Sequence, residues 1–539
     1  MTHVTQHSFG GKMPLRNIRL LSDALPSYLA LLMKILTAEQ IRALDAYTIA
    51  HEPIAPDDLM ERASVAWTHW LQDLYTAPRC VLVICGTGNN GGDGLCVARL
   101  LYQRRYDVRV VVIDNGNTPT PDFERNLQRL ARYSQIPLAI VQQAEQLAQT
   151  LDAPPHTLLI DALFGSGLNR PLSGLYAQVV MNINRHTGPI LAIDLPSGLY
   201  SDRHTDSPYI VRATHTATFE LPKLALLLPD TYSYVGQWHC IPIQLHPQAI
   251  EQADTPYYYL DRDPLLYPDE MPSINISPID NKFAHKGTRG HTLIIGGSKG
   301  KIGAAVLATR AAMQHGAGLT TACVPQCGYA VLQTAAPEAM TISDARDNDY
   351  LSQLPPNLSA YRAVAIGVGL GQHPDTALML YDLLQYAQTA AQATTWIFDA
   401  DALNLIAAHH WQNLLPPNSI LTPHPKEFER LAGITQNHFE RLEKLRYLTQ
   451  EWQCYIALKG AHTAVACPNG TVFFNSTGNP AMATGGSGDV LTGMVAAYCA
   501  QGYTPKQALL TAVYRHGQAG DKALKASENS YLLASDLIC

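Results

Sequence analysis

Val81-Leu82-Val83-Ile84-Cys85-Gly86-Thr87-Gly88-Asn89-Asn90-Gly91-Gly92-Asp93-Gly94 passes from an apolar tetrapeptide into a loop holding five glycines, two asparagines and an aspartate. The short β-branched run predicts a buried strand. The periodic stretch Leu95 to Arg104 that follows predicts a helix. Glycines in a strand-to-helix turn let the backbone approach a ligand and aim its amides, and a helix N-terminus there favours phosphate. Gly86, Gly88 and Gly91 satisfy the G-x-G-x-x-G spacing, a weak signal alone. The asparagines and the aspartate say more, because their oxygens suit a hard cation.

The same grammar continues outward. Thr157-Leu158-Leu159-Ile160 and Ile190-Leu191-Ala192-Ile193 are further strand candidates, each ending at an aspartate, Asp161 and Asp194. Strands alternating with helices predict a parallel doubly wound sheet, which binds ligands beyond its strand ends. From Phe283 the pattern starts again, with His291 to Ile295 entering Gly296-Gly297-Ser298-Lys299-Gly300, then Ala363 to Ile366, Trp396 to Phe398 and Tyr455 to Leu458. Between the halves lie Pro247, Pro256, Pro264, Pro268, Pro272 and Pro278. Such a span is not expected to form regular helix or central strand. The expected organisation is an extension over 1–32, a first domain over 33–245, a linker over 246–282 and a second domain over 283–539. Met33 reads as a natural start, and Thr37 with Gln40 predicts a capping box.

The 539 residues are enough for three or four domains of ordinary size, or two large ones. Apolar residues make up 47% and charged residues 15%, well below the roughly 25% charged of an average soluble protein. That composition excludes disorder and implies large cores. A net charge of −7 with pI ≈ 6.3 argues against a broad nucleic-acid surface. Ten cysteines show no framework spacing and read as reduced structural thiols. No apolar run reaches the roughly 20 residues of a membrane helix. A cytoplasmic location is expected.

Asp161 opens Asp161-Ala162-Leu163-Phe164-Gly165-Ser166-Gly167-Leu168-Asn169-Arg170-Pro171, and Asp194 opens Asp194-Leu195-Pro196-Ser197-Gly198. With Asn90 they can converge on one crevice; alternatively each caps a turn. Lys223, after Phe219-Glu220-Leu221-Pro222, can neutralise phosphate or assist proton transfer, or be a solvated surface lysine. Together these segments resemble the YjeF N-terminal domain, the NAD(P)H-hydrate epimerase, over about 33–245. The resemblance implies a Rossmann-like three-layer sandwich that interconverts the R and S epimers of hydrated NAD(P)H (NADHX, NADPHX). It implies substrate contacts by Asn89, Asn90, Gly91, Gly92, Asp93, by Gly165, Ser166, Gly167, Leu168, Asn169, Arg170, Pro171, and by Asp194. It further implies a potassium ion held by Asn90, Asp161 and Ser197. Asp194 is the expected proton-transfer group, with Lys223 a second candidate.

In the second half, Gly485-Gly486-Ser487-Gly488-Asp489 precedes an apolar helix. Such a turn makes an anion hole for a phosphoryl group in flight, and Asp489 at its edge can take a proton from an attacking hydroxyl. Asp489 as a plain helix cap is the simpler alternative. Lys459-Gly460-Ala461-His462-Thr463, Thr422-Pro423-His424-Pro425-Lys426-Glu427, Asp399 to Asn404 and Gly367 to Gly371 also follow predicted strands. No Walker loop occurs, and the His424–Glu427 pair lacks the third ligand zinc needs.

This set is similar to ribokinase-like α/β kinases and, more narrowly, to the ADP-dependent NAD(P)H-hydrate dehydratase, over about 283–539. The resemblance implies that Ala304, Gly369, His424 and Asp489 contact the hydrated cofactor. It places ADP, with Mg2+, against Lys459, Gly460, Ala461, His462, Thr463 and Gly488. Lys301-Ile302 departs from relatives, which often carry Met and then Gly or Pro. The implied chemistry is phosphorylation of the C6 hydroxyl by ADP, with Asp489 as base, then loss of phosphate to restore NAD(P)H with AMP. The expected partners are NADHX, NADPHX and ADP, with no nucleic acid and no membrane, in a homo-oligomer. Two other readings are a small-molecule kinase fused to a nucleotide-binding module, and a non-catalytic N-terminal scaffold.

Overall fold

The computed structural model describes residues 32–539 except 77–78, 265–281, 345, 390–393, 528–529 and 539. The extension read over 1–31 and Pro268, Pro272 and Pro278 lie outside the described residues. The strands, in chain order, are β1 (Leu32–Lys34), β2 (Cys80–Cys85), β3 (Asp107–Ile113), β4 (Leu138–Val141), β5 (Leu158–Ala162), β6 (Ile190–Ile193), β7 (His215–Phe219), β8 (Gln237–Ile241), β9 (Tyr257–Leu260), β10 (His291–Ile295), β11 (Leu319–Pro325), β12 (Met340–Asp344), β13 (Ala363–Ile366), β14 (Thr395–Phe398), β15 (Ile420–Leu421), β16 (Tyr455–Leu458), β17 (Ala464–Ala466) and β18 (Val472–Asn475).

Seven of them form the first sheet, in the order β4-β3-β2-β5-β6-β7-β8, with every pair parallel. The chain winds outward from β2 in one direction, then resumes at β5 and winds in the other. The switch point therefore falls between β2 and β5. Continuous burial along β5 and β6 explains why these strands read as unbroken apolar runs: helices cover both faces.

The second sheet has eleven strands, ordered β1-β9-β18-β17-β16-β15-β14-β13-β10-β11-β12. Its parallel body also reverses, between β10 and β13. The helices Ile302–Gln314 and Ser487–Ala500 pack on one face. They approach so closely that a Cβ added at Gly493 would lie 2.1 Å from the Ala308 carbonyl oxygen.

The proline-rich span corrects the sequence reading. Pro247 opens the helix Pro247–Gln252, and β9 runs between Pro256 and Pro264, parallel to β18. Prolines are tolerated at a first helical position and outside a strand, so these flank regular elements instead of preventing them. Leu32, expected in an extension, belongs to β1, and Leu32 to Lys34 pair antiparallel with β9. The first residues of the N-terminal half thus extend the sheet of the C-terminal half. Behind them, the expected capping box starts the helix Ala38–His51, where Thr37 and Gln40 satisfy each other's backbone.

Candidate active sites

The first site lies at the switch point. Asp194 follows β6 with a left-handed backbone, φ 68°, uncommon for a non-glycine residue. That twist turns its carboxylate into a fixed net. Oδ1 meets Lys223 Nζ at 3.0 Å and accepts from Thr218 Oγ1 at 3.0 Å, while Oδ2 accepts from the Ser166 amide at 2.9 Å. Lys223 is 1% exposed, not a solvated surface lysine, and also donates to the Phe219 carbonyl. Burial opposes the charge on Asp194, but Lys223 and Ser166 outweigh it and hold the carboxyl down at about 2.

Asp161 and Ser197 form a second knot beside it. Ser197 donates to Asp161 from its hydroxyl at 2.6 Å and from its amide at 2.8 Å. The Ser197 hydroxyl oxygen in turn accepts from the Phe164 amide. Asp161 is fully buried, makes no ion pair among the described residues, and is pushed up to about 6 by burial. Asn90 donates from Nδ2 to the Ile193 carbonyl, which leaves its Oδ1 buried and without a partner. An orphaned buried carbonyl oxygen near an unpaired carboxylate fits a monovalent cation.

Gly165 joins the two knots. A Cβ there would lie 3.0 Å from both Asn90 Nδ2 and Asp194 Oδ2. Gly165 and Ser166 therefore reach the site, whereas Asn169, Arg170 and Pro171 are exposed and make no hydrogen bond or ion pair with the Asp194 cluster. The glycine loop serves packing more than ligand approach. A Cβ on Gly91 would lie 1.8 Å from the Gly86 carbonyl oxygen, and one on Gly94 2.5 Å from Ala162 Cβ. Gly88 alone has open space around it.

Asp45 escaped the sequence reading. It sits on the helix Ala38–His51, more than 40 residues before the glycine loop in sequence but in the field of Lys223, Asp194 and Glu220, and burial raises its carboxyl to about 6. Only the polar residue on an otherwise packed helix face could have flagged it.

The second site forms around the N-terminus of the helix Ser487–Ala500, capped by Gly486 at φ 93°. Asp489 is not the cap. The Ser487 amide donates to the Thr484 carbonyl, whereas the first-turn amides of Gly488 and Asp489 have no intrahelical partner and face outward as donors. Gly488 needs its missing side chain, since a Cβ would lie 3.2 Å from Lys459 Nζ. Lys459 pairs with Asp399 Oδ1 at 3.0 Å and lies 3.9 Å from Glu427. Thr492 donates to the other Asp399 oxygen at 2.7 Å. Asp489 lies in the field of Asp399, Asp401 and Glu427. Burial and these like charges raise it to about 7, against the pull of Lys459. Asp399, Glu427 and Thr492 complete the site; the first two stood in the strand-end segments read from the sequence without a role at this site, and Thr492 was not noticed.

Ala304 and Gly369 come together as expected. An added Cβ at Gly369 would lie 2.9 Å from Ala304 Cβ. The atypical Lys301 pairs with Asp401, which also accepts from the Gly371 amide. His424 caps the helix Pro425–Ala432, with Nδ1 accepting from the Lys426 and Glu427 amides. Burial and Lys459 lower its pKa, so it stays neutral with Nε2 as the donor. In the loop 459–463, Lys459 reaches into the site. His462 instead donates from Nδ1 to the Asn475 carbonyl and packs against Trp238 and Tyr259. Trp238 belongs to β8 of the first sheet. A cavity of about 770 Å³ opens there, between the loop 459–462 and the segment Leu226 to Leu228.

Two doubly wound α/β units, Rossmann-like then ribokinase-like, each with a lysine–carboxylate pair beyond the carboxyl ends of its strands, define an enzyme of nucleotide-like substrates. The comparisons narrow the class. A family model described as NAD(P)H-hydrate dehydratase matches residues 292–539, and one described as YjeF-related protein N-terminus matches 56–225. The bifunctional NAD(P)H-hydrate repair enzyme Nnr of Moorella thermoacetica is 35% identical over 94% of this chain and 95% of its own. Its Escherichia coli counterpart is 32% identical over 89% of this chain and 88% of its own. A solved ADP/ATP-dependent NAD(P)H-hydrate dehydratase from Bacillus subtilis, co-crystallised with ATP and Mg2+, is 32% identical over 47% of this chain and 89% of its own, with a TM-score of 0.40. The chain belongs to the family of bifunctional NAD(P)H-hydrate repair enzymes. Among the described residues no helix is long and apolar enough to cross a membrane.

Proposed function

We propose that the chain both epimerises hydrated NAD(P)H at C6 and dehydrates the S epimer to NAD(P)H with ADP. The observation that carries this reading is the pair of chemically distinct carboxylates, Asp194 held ionised at about 2 in the first unit and Asp489 raised to about 7 in the second. A carboxyl near 7 is matched to accepting a proton at neutral pH.

In the second site Asp489 takes the proton of the C6 hydroxyl as that oxygen attacks the β-phosphorus of ADP. The amides of Gly488 and Asp489 and the Lys459 ammonium stabilise the charge that grows on the phosphoryl oxygens. AMP leaves. The C6–O bond then breaks, phosphate departs with the bonding pair, and the ring nitrogen lone pair compensates. Loss of a C5 proton restores the dihydropyridine. Ala304, Gly369 and neutral His424 line the nicotinamide side of the cleft, and Gly460, Ala461, Thr463 and Gly488 the ADP side, with His462 anchoring that loop through Asn475. Asp399 and Glu427 would offer oxygens to a Mg2+ ion arriving with the nucleotide, which would neutralise phosphate charge.

In the first site Asp194 is the proton acceptor, and Lys223 fixes its charge and position. Asn89 to Asp93, with Gly165 to Pro171, would embrace the substrate. Asn90 Oδ1, Asp161 and Ser197 would hold a potassium ion, which would supply a fixed positive charge beside the dinucleotide. The sites are complementary, because the first makes from R what the second consumes as S. A cytoplasmic enzyme and a homo-oligomer accord with this role.

The test is product analysis with S epimer and ADP. AMP, free phosphate and NADH in equal amounts are expected. A phosphorylated cofactor that accumulates without NADH would instead identify a kinase.

A further inference from the structure

We propose that Asp45, on the helix Ala38–His51, is the second proton-transfer group of the epimerisation, giving a proton to the C6 oxygen while Asp194 accepts one. This rests on the epimerase reading of the first site.

Inversion at C6 breaks and remakes one C–O bond, and needs a donor for the departing oxygen as well as an acceptor for the entering one. Asp194 cannot be the donor. Lys223, Thr218 and Ser166 hold its carboxylate ionised, so it has no proton to give, while one lone pair stays open to accept one. Lys223 is committed to Asp194 and the Phe219 carbonyl. Glu220 is nearby, but its carboxylate accepts from the Ile243 amide.

Asp45 differs from all of these. It makes no hydrogen bond among the described residues and is half-buried. Its helix meets loops beside the site at two other points. The Ala38 amide donates to Asp202 at 3.2 Å, and Arg42 Nη1 lies 4.0 Å from where a Gly167 Cβ would stand. Residues 38, 42 and 45 fall on one helix face, so Asp45 is carried toward the same loops. The charged groups in whose field it lies are Lys223, Asp194 and Glu220 from the sheet and Asp93 from the glycine loop, and Arg42 stands one turn before it on its own helix. Burial raises its carboxyl to about 6 while that of Asp194 stays at about 2. Carboxyl groups pushed apart in this way mark an acid and a base.

The step balances. The Asp45 carboxyl gives its proton to the C6 hydroxyl as C6–O breaks; the nitrogen lone pair forms C6=N1, and water leaves. Water adds to the other face, C6–O forms, N1 regains its lone pair, and Asp194 takes the released proton. Exchange through solvent returns that proton to Asp45.

The experiment compares the full chain with its Asp45→Asn, Asp45→Glu and Asp93→Asn variants, measuring R-to-S conversion against pH after subtracting the uncatalysed rate. Asp45→Asn is expected to lower kcat by about 100-fold or more with little change in KM. The wild-type rate should fall as pH rises through about 6, where Asp45 loses its proton, and that limb should vanish in Asp45→Asn. Asp45→Glu should recover part of the rate. Dehydration of pure S epimer by Asp45→Asn reports an intact fold. Conversion by Asp45→Asn at the wild-type rate, or loss of the pH limb in Asp93→Asn instead, would overturn the proposal. A wild type that does not interconvert the epimers would overturn the epimerase reading itself.

Discussion

Asp194 and Lys223 bury opposite charges 3.0 Å apart, and removing either leaves the other stranded. Asp194→Asn should therefore destabilise the chain by about 3–5 kcal/mol in denaturant melts, and the added change Lys223→Met should recover much of it. Because the folded carboxyl sits at about 2, below its ordinary 3.8, the pair stabilises the fold above roughly pH 4. That contribution should fade as pH falls toward 2. Asp489 has the opposite sign, raised to about 7, and a base must be ionised to act. Dehydration should accordingly speed up as pH rises through about 7, and Asp489→Asn should abolish it while R-to-S conversion persists. These carboxylates were legible in the sequence because glycine and proline mark the turns that hold them. Asp45, Thr492 and the role of Asp399 were not, since nothing in a helix or after a strand distinguishes a catalytic-site side chain from one that packs or caps.

At the scale of elements, the glycine loop 86–94 shows why motif spacing misleads about cause. Its glycines read as room for a ligand, yet Gly91 lies against the Gly86 carbonyl and Gly94 against β5. Gly91→Ala should cost several kcal/mol by calorimetry, because the clash is with backbone that cannot move aside. Gly88→Ala, with open space, should be nearly neutral in stability. The parallel strands were legible because buried strands are continuously apolar. β9 was hidden by its neighbouring prolines, and β1 by its three-residue length. Both extend one end of the second sheet, with β1 at its edge, and their partners lie more than 200 residues away, a relation no local pattern encodes.

The whole molecule is held together across its halves. Leu195, Leu199 and Leu224 to Leu228, from the N-terminal half, share one apolar core with Leu431, Phe439 and Phe474 of the second. β9 adds main-chain bonding to β18. A protease site inserted in 265–281 should therefore yield two fragments that elute together after cleavage; separation at low salt would show the halves to be independent.

The most direct measurement supplies purified enzyme with ADP and a known mixture of R and S hydrated NADH, and follows NADH absorbance to completion beside AMP and phosphate. Two cooperating sites predict that all of the mixture, not only its S fraction, returns to NADH, with one AMP and one phosphate for each. A plateau at the S fraction, or a phosphorylated dinucleotide in place of NADH, would contradict it.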